Sequence, residues 1–266
     1  MLKKRKYISF IAPLAAASII LAACGTAETD TSGSASEEGG TTSTKLKVGT
    51  DAAYAPFESF DDKGNIVGID VDVVKAIGEE VGVEFEINNV AWEPLFQQVT
   101  NGEVDLGVSA ITITDERKET YDFTEPYYEA TQLIITKEDS AIESLADIAD
   151  KKIGVQINTT GHFAAQDLQG KASKNILAYE TTPIAIQELV NGTVDAVIGD
   201  NAVILEYIKN NPESKLKSIE DDSFEKEYYG LMVKKGNQEV LDLLNEGIEK
   251  LKESGELAEI TGQEIE

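Results

Sequence analysis

The chain carries 49 acidic against 23 basic residues in a length of 266, a formal charge of −26. Such a surface repels nucleic acid and anionic lipid, and no basic stripe offsets it. One cysteine excludes an internal disulfide, one histidine (His162) argues against a zinc centre, and the length suits one large or two small domains with a buried core.

The amino terminus reads as an address. Lys3, Lys4, Arg5 and Lys6 precede an apolar run from Tyr7 to Ala23 that is too short and one-sided for a permanent span, and its flanks match an export signal. Residues 1–23 are expected to be a signal peptide. Leu21-Ala22-Ala23-Cys24-Gly25 resembles the bacterial lipobox, which implies lipidation at Cys24. Acyl chains would then hold the protein on the extracytoplasmic face of the cell membrane. In Gly25–Thr44, 14 of 20 residues are Gly, Ser or Thr, with no large apolar side chain. Residues 24–44 are therefore expected to be a flexible tether with a reach of about 25 Å.

The folded part starts at Lys45. A short strand, Leu46–Thr50, runs into the loop Asp51–Glu58, and Asp61–Asn65 has the composition of a turn. Val71, Val74, Ile77 and Val81 lie at helical spacing within 70–81, with Gly82 as the stop. Phe85–Val90 reads as a strand. Trp92 opens a second helix, closed by Asn101-Gly102, and Val104–Val108 leads into Ser109, Ala110 and Thr112. A charged turn holding Arg117 follows, and its guanidinium suits a carboxylate bound at the strand's end. Strand and helix alternate in the doubly wound α/β manner, which places ligands beyond the carboxyl ends of the strands.

The pattern then repeats. Lys151–Val155 is a strand into the polar loop Gln156–Gly161, a helix begins near His162, and Ile176–Tyr179 is strand-like. A helix with Ile184, Ile186, Leu189 and Val190 closes at Asn191-Gly192, and the strand Val194–Ile198 ends at Gly199-Asp200. Asn191-Gly192-Thr193-Val194-Asp195 echoes Asn101-Gly102-Glu103-Val104-Asp105. Two such units predict two lobes with a cleft between them. The helix 239–254, with Val240, Leu244, Ile248 and Leu251 on its apolar face, is expected to pack back on the first lobe. The expected limits are 45–136 plus 228–262 for lobe 1 and 137–227 for lobe 2. The crossings are placed near Leu133–Lys137 and Lys226–Tyr229, as a two-strand hinge that closes on ligand.

From Lys45 to about Ile260 the chain resembles the solute-binding proteins of ABC importers for polar amino acids. The resemblance rests on Gly49-Thr50-Asp51 with Tyr54-Ala55-Pro56-Phe57-Glu58, on Gly68-Ile69-Asp70-Val71-Asp72 and on Ile111–Arg117. Asp122–Tyr128, Gly154-Val155-Gln156 with Thr159-Thr160, and Gly199-Asp200 complete it. The carboxyl end, Ala258–Gly262, departs from the Tyr-Lys-Lys-Trp-Phe-like segment of relatives, which bears on the packing of the final turn.

The resemblance implies a two-lobed periplasmic-binding-protein-like fold of type II and no cofactor or enzymatic activity. It also implies a role for each site residue. Arg117 would clamp a ligand α-carboxylate, helped by Thr112 and Thr160 through backbone N–H and hydroxyl groups, with Ala110 and Thr159 also among the ligand-binding residues. Asp200, from the opposite lobe, would take the α-ammonium with Ser109. Tyr54 and Trp92 would cover the ligand side chain, with Asp51, Glu58 and Gln156 near its far end. Two carboxylates and two aromatic faces suit a guanidinium or ammonium. The expected ligand is therefore a basic L-amino acid (arginine or lysine), with glutamine as the alternative. The expected partners are that ligand, a membrane permease and the membrane through Cys24, the protein itself being a monomer. Two other classes are weighed. A prephenate- or arogenate-type lyase on this fold could offer Glu58 as its acid, but one histidine leaves little acid–base chemistry. A receptor or channel sensor domain would need a spanning helix and an output domain.

Overall fold

The computed structural model describes residues 45–265. The expected signal peptide (1–23), the tether (24–44) and Cys24 lie outside the described residues. Chain order in the first lobe is β1 (Lys45–Thr50), β2 (Ala53–Tyr54), β3 (Glu58–Phe60), β4 (Ile66–Val67), α1 (Ile69–Val81), β5 (Glu84–Asn89) and α2 (Trp92–Asn101). It continues with β6 (Leu106–Gly107), α3 (Asp115–Thr120) and β7 (Tyr121–Phe123), and β8 (Tyr128–Ala130) leaves the lobe. The second lobe holds β9 (Gln132–Lys137), β10 (Ile153–Gln156), α4 (Thr160–Gln169), β11 (Ile176–Tyr179), α5 (Thr182–Asn191), β12 (Ala196–Asp200), α6 (Asn201–Asn210) and β13 (Leu216–Ile219). The chain returns through β14 (Glu227–Tyr229) to β15 (Met232–Lys234), α7 (Gln238–Ser254) and α8 (Glu256–Thr261).

The sequence echo has a structural counterpart. One five-stranded sheet runs β5-β1-β6-β15-β7 and the other β11-β10-β12-β9-β13. In each, three parallel strands are followed by antiparallel neighbours. The helices α2 and α5 that deliver the third parallel strand both end at a left-handed glycine, Gly102 (φ 73°) and Gly192 (φ 80°). A residue with a Cβ is strained in that conformation, so Asn-Gly marks the same junction in both halves. Each sheet has apolar side chains on both faces. Val48, Val74, Ile77 and Leu244 lie on one side of the first, and Val90, Leu95, Val99 and Met232 on the other. Ile186, Leu189 and Val197 against Ile134, Ile153 and Ile198 repeat the arrangement in the second.

Two expectations change. The first crossing is not at Leu133–Lys137, because β9 is fully paired inside the second sheet, with Ile134 against Ile198 of β12 and Ile219 of β13. Leu133, Ile134 and Ile135 are buried on both faces, which suits a central strand and not an exposed crossover. The connection is the short antiparallel ribbon β8–β14, in which Tyr128 faces Tyr229 and Ala130 faces Glu227. The second change concerns Arg117, which sits in the short helix α3 rather than in a turn. Thr114 caps α3 by accepting the Arg117 backbone N–H at 3.1 Å, and Asp115 and Glu116 occupy its first turn.

Helix α7 lies on α1, and a Cβ at Gly247 would come within 2.6 Å of Ile77, so the two helices approach closely only because that position is bare. The divergent carboxyl end is anchored. Leu257 and Thr261 of α8 are buried, and the Gln263 amide both accepts the Glu129 N–H (3.0 Å) and donates to its carbonyl (3.1 Å). That side chain thus mimics a neighbouring strand along β8.

Candidate functional site

Each sheet presents the carboxyl ends of its parallel strands to the cleft, and the loops there line a small cavity. Eleven of the twelve predicted residues line it: Asp51, Tyr54, Trp92, Ser109, Ala110, Thr112 and Arg117 from the first lobe, and Gln156, Thr159, Thr160 and Asp200 from the second. Direct contacts join the two walls. The Tyr54 hydroxyl donates to Asp200 Oδ2 (2.8 Å), the Asn158 amide donates to Glu93 Oε1 (2.7 Å), and Arg117 Nη2 reaches the Asn158 carbonyl (3.3 Å).

Arg117 forms one pole. Its Nη1 donates to the Thr112 carbonyl at 2.8 Å, and the guanidinium carbon stands 5.4 Å from the ring centroids of both Trp92 and Phe96. Burial pulls its pKa down, opposed by Glu227 and Asp200, and it starts so high that the charge persists. Two of its five N–H groups are used on carbonyls, which leaves donors for an anion. Beside it, the 10-residue helix α4 begins at Thr160, capped by Thr159, whose Oγ1 accepts the His162 N–H at 3.2 Å. A helix amino terminus adds partial positive charge at the same pole.

Asp200 forms the opposite pole. It is buried at the end of β12 and accepts hydroxyl hydrogens from Tyr54 (2.8 Å) and Tyr229 (2.5 Å), and the Gln132 amide. Burial raises its pKa, while those donors and Arg117 oppose the rise. The two tyrosines have pKa values raised well above normal, by burial first and then by Asp200, so both remain donors. Asp51, also on the cavity wall, has its pKa raised by burial too, partly drawn back by the Trp92 backbone N–H. Gln156 Oε1 accepts the Thr182 hydroxyl at 3.0 Å.

One predicted residue holds a position other than that expected. Glu58 does not line the cavity. It is fully buried behind Ser109, whose hydroxyl donates to Glu58 Oε1 at 2.6 Å, while its Oε2 has no hydrogen-bond donor facing it. Its remaining neighbour is Asp70, already served by the Ala110 N–H (2.7 Å) and the Tyr127 hydroxyl (2.7 Å). Two adjacent buried carboxylates cannot both ionise. Asp70, with two donors, keeps the charge, and Glu58 Oε2 carries a proton toward it, with a pKa raised well above normal by burial and by Asp70. Ala110 lines the cavity, but its N–H is spent on Asp70, and it holds a left-handed φ of 46° to reach it.

The sequence reading missed several contributors. Tyr229 and Gln132 hold Asp200, Phe96 backs Arg117, and Glu227 accepts the hydroxyls of Thr112 (2.7 Å) and Thr160 (2.8 Å). The Tyr228-Tyr229 doublet was the available signal, and the structure separates its members: Tyr229 is fully buried while Tyr228 is 39% exposed. Among the described residues no cluster of His, Cys, Asp or Glu could hold a metal ion, and no helix is long and apolar enough to cross a membrane.

Known proteins resemble this chain in sequence and in fold. A protein of Neisseria gonorrhoeae named as a probable histidine-binding protein is 37% identical over 257 residues, covering 96% of this chain and 94% of its own. The arginine-, lysine-, histidine-binding protein ArtJ of Geobacillus stearothermophilus is 48% identical with a TM-score of 0.80, over 84% of this chain and 97% of its own. An ancestral arginine-binding protein bound to glutamine is 37% identical with a TM-score of 0.76, over 81% and 95%. Residues 46–263 match the model of one family, and the chain belongs to the bacterial extracellular solute-binding proteins, family 3.

Proposed function

We propose that the cleft binds an L-amino acid with a cationic side chain and that the protein hands it to the membrane permease of an ABC importer. The observation that carries this reading is the charge at the cavity. Asp51, Asp200 and Glu227 surround it against one guanidinium, Arg117, with Glu227 just behind the wall. A zwitterion satisfies Arg117 and Asp200 in equal measure and leaves Asp51 at the far end. A ligand with a second positive charge places it there, flanked by Trp92 and Tyr54. The poles belong to different lobes, so a ligand spanning them favours the closed arrangement by differential contact, with the β8–β14 ribbon as hinge. The names of the relatives, for histidine, arginine and lysine, agree with this reading.

Glutamine is the second reading. It is supported by the Gln156 amide at the cavity and by the ancestral arginine-binding protein that held glutamine. The lyase reading has no comparable support, because Glu58 is walled off behind Ser109 and is not placed to meet a substrate. Lipidation at Cys24, with attachment to the extracytoplasmic membrane surface as a monomer, completes the proposal.

Ligand-dependent melting after unfolding and refolding to strip retained ligand tests it. A ligand at a hundred times its dissociation constant adds about 2.7 kcal/mol. Stabilisation by arginine, lysine, histidine or ornithine but not citrulline is expected. Stabilisation by glutamine alone transfers the assignment to the second reading, and none by any amino acid refutes both.

A further inference from the structure

Glu227 stands at the start of β14, on the ribbon between the lobes, and is not part of the cavity lining. Its Oε2 accepts the Thr112 hydroxyl from the first lobe at 2.7 Å and the Thr160 hydroxyl from the second at 2.8 Å. Its Oε1 accepts the Gln132 amide at 3.1 Å. Both threonines do line the cavity. A hydroxyl has one hydrogen and two lone pairs. With both hydrogens spent on Glu227, the two Oγ atoms can meet a ligand only as acceptors.

We propose that Glu227 is a positioning residue for ligand recognition: by holding the Thr112 and Thr160 hydroxyl hydrogens, it turns both oxygens into acceptors for a ligand α-ammonium. The proposal rests on the amino-acid reading above and deepens it. An ammonium has three N–H donors and no acceptor. Asp200 offers it one carboxylate, itself held by Tyr54, Tyr229 and Gln132. Ser109 follows the same rule, its hydrogen going to Glu58 and its oxygen also accepting the Asp51 N–H at 3.2 Å. Every hydroxyl in this set gives its hydrogen to a carboxyl group instead of the cavity. The ligand carboxylate is then left to the Arg117 guanidinium and to backbone N–H groups, and the threonine hydroxyls do not serve it. A hydroxyl turned the other way would set its hydrogen against an ammonium hydrogen, so Glu227 acts on specificity without touching the ligand.

The test compares L-arginine with its α-hydroxy counterpart, in which a hydroxyl replaces the ammonium, by titration calorimetry on the intact protein. The proteins are the wild type, E227Q, T112V/T160V and the triple variant. The neutral amide oxygen of glutamine at 227 holds the two threonine hydrogens more weakly than the carboxylate does, so they are freer to turn to the cavity. The preference for the amine over the hydroxy acid is expected to fall about tenfold in E227Q, the size of one hydrogen bond to a charged group. The same substitution should change it less than about twofold in the valine background, where no hydroxyls remain to be turned. Equal weakening of both ligands in E227Q, as a merely structural role gives, overturns the proposal. So does a loss of preference that persists in the valine background, which marks a bare charge effect. Should E227Q not fold, T112V and T160V singly are each expected to lower the preference, and an unchanged preference in both overturns it. Wild type that binds no arginine refutes the cationic-ligand reading alone. The comparison then uses the amino acid with the largest melting shift and its α-hydroxy acid, and a protein that binds no amino acid overturns both.

Discussion

Glu58→Gln and Glu58→Ala are expected to differ sharply in stability, because the buried carboxyl acts as a neutral hydrogen-bond donor. Glutamine reproduces the protonated form. Its amide oxygen accepts the Ser109 hydroxyl, as Glu58 Oε1 does at 2.6 Å, and its N–H₂ faces Asp70 where Oε2 does. The exchange should cost less than about 1 kcal/mol near pH 6, within the range of isosteric buried changes. Alanine removes the Ser109 acceptor, worth about 1 kcal/mol, and the donor to ionised Asp70, worth about 1.5–3 kcal/mol. It also opens a small cavity, so the sum is roughly 3–5 kcal/mol.

The pH profile separates the variants further. The folded pKa of Glu58 is raised, so its contribution is full below the ordinary carboxyl range and is lost as pH rises through the folded value. Between the ordinary carboxyl range and that value the wild type should lose about 1.4 kcal/mol per pH unit, whereas Glu58→Gln has no proton to lose and lacks this slope. Urea unfolding followed by Trp92, the single tryptophan, reads both effects. Glu58→Gln as costly as Glu58→Ala at pH 6 would refute the shared-proton account, since it would mean that Glu58 is needed as an anion.

Two further outcomes are expected. Arg117→Ala removes the bond to the Thr112 carbonyl and the stacking on Trp92 and Phe96, at about 1–2 kcal/mol of stability, and should abolish ligand-induced melting shifts in a protein that still folds. Undiminished ligand stabilisation would remove the carboxylate clamp. In Gly161→Ala, the new methyl would lie 2.8 Å from Gln132 Oε1 and 3.0 Å from the Ile198 carbonyl of β12, so α4 must shift by a few tenths of an ångström and carry Thr160 with it. Roughly 1–3 kcal/mol of destabilisation is expected with weaker binding in calorimetry, and unchanged affinity would show that the position of Thr160 is unimportant.

Much of this was legible along the chain. The helix α1 and its stop at Gly82 followed from the spacing of Val71, Val74 and Ile77, and the Asn-Gly echo marked equivalent junctions in two sheets. Local rules suffice there, because helical period and left-handed glycines depend on neighbours in sequence. The loops that converge on the cavity were legible for a related reason, since alternating strands and helices send those loops to one edge of each sheet. The short helix α3 was not, because its six residues, Asp115–Thr120, include no apolar side chain and leave no periodic signal.

Other features needed the chain to close on itself. Glu58 and Asp51 are both acids in the same loop, yet one is walled off behind Ser109 and the other faces the cavity. Leu133–Lys137 reads as a crossing in the sequence, whereas β12 and β13 flank it on both sides in the fold. Glu227 lies 115 residues from Thr112 and 67 from Thr160, and no pattern in the chain pairs them. Composition and periodicity report how a segment is built and which face it buries. The direction of a hydrogen, the charge state of a buried acid and the identity of a partner across a cleft depend on groups distant in sequence that meet only after folding.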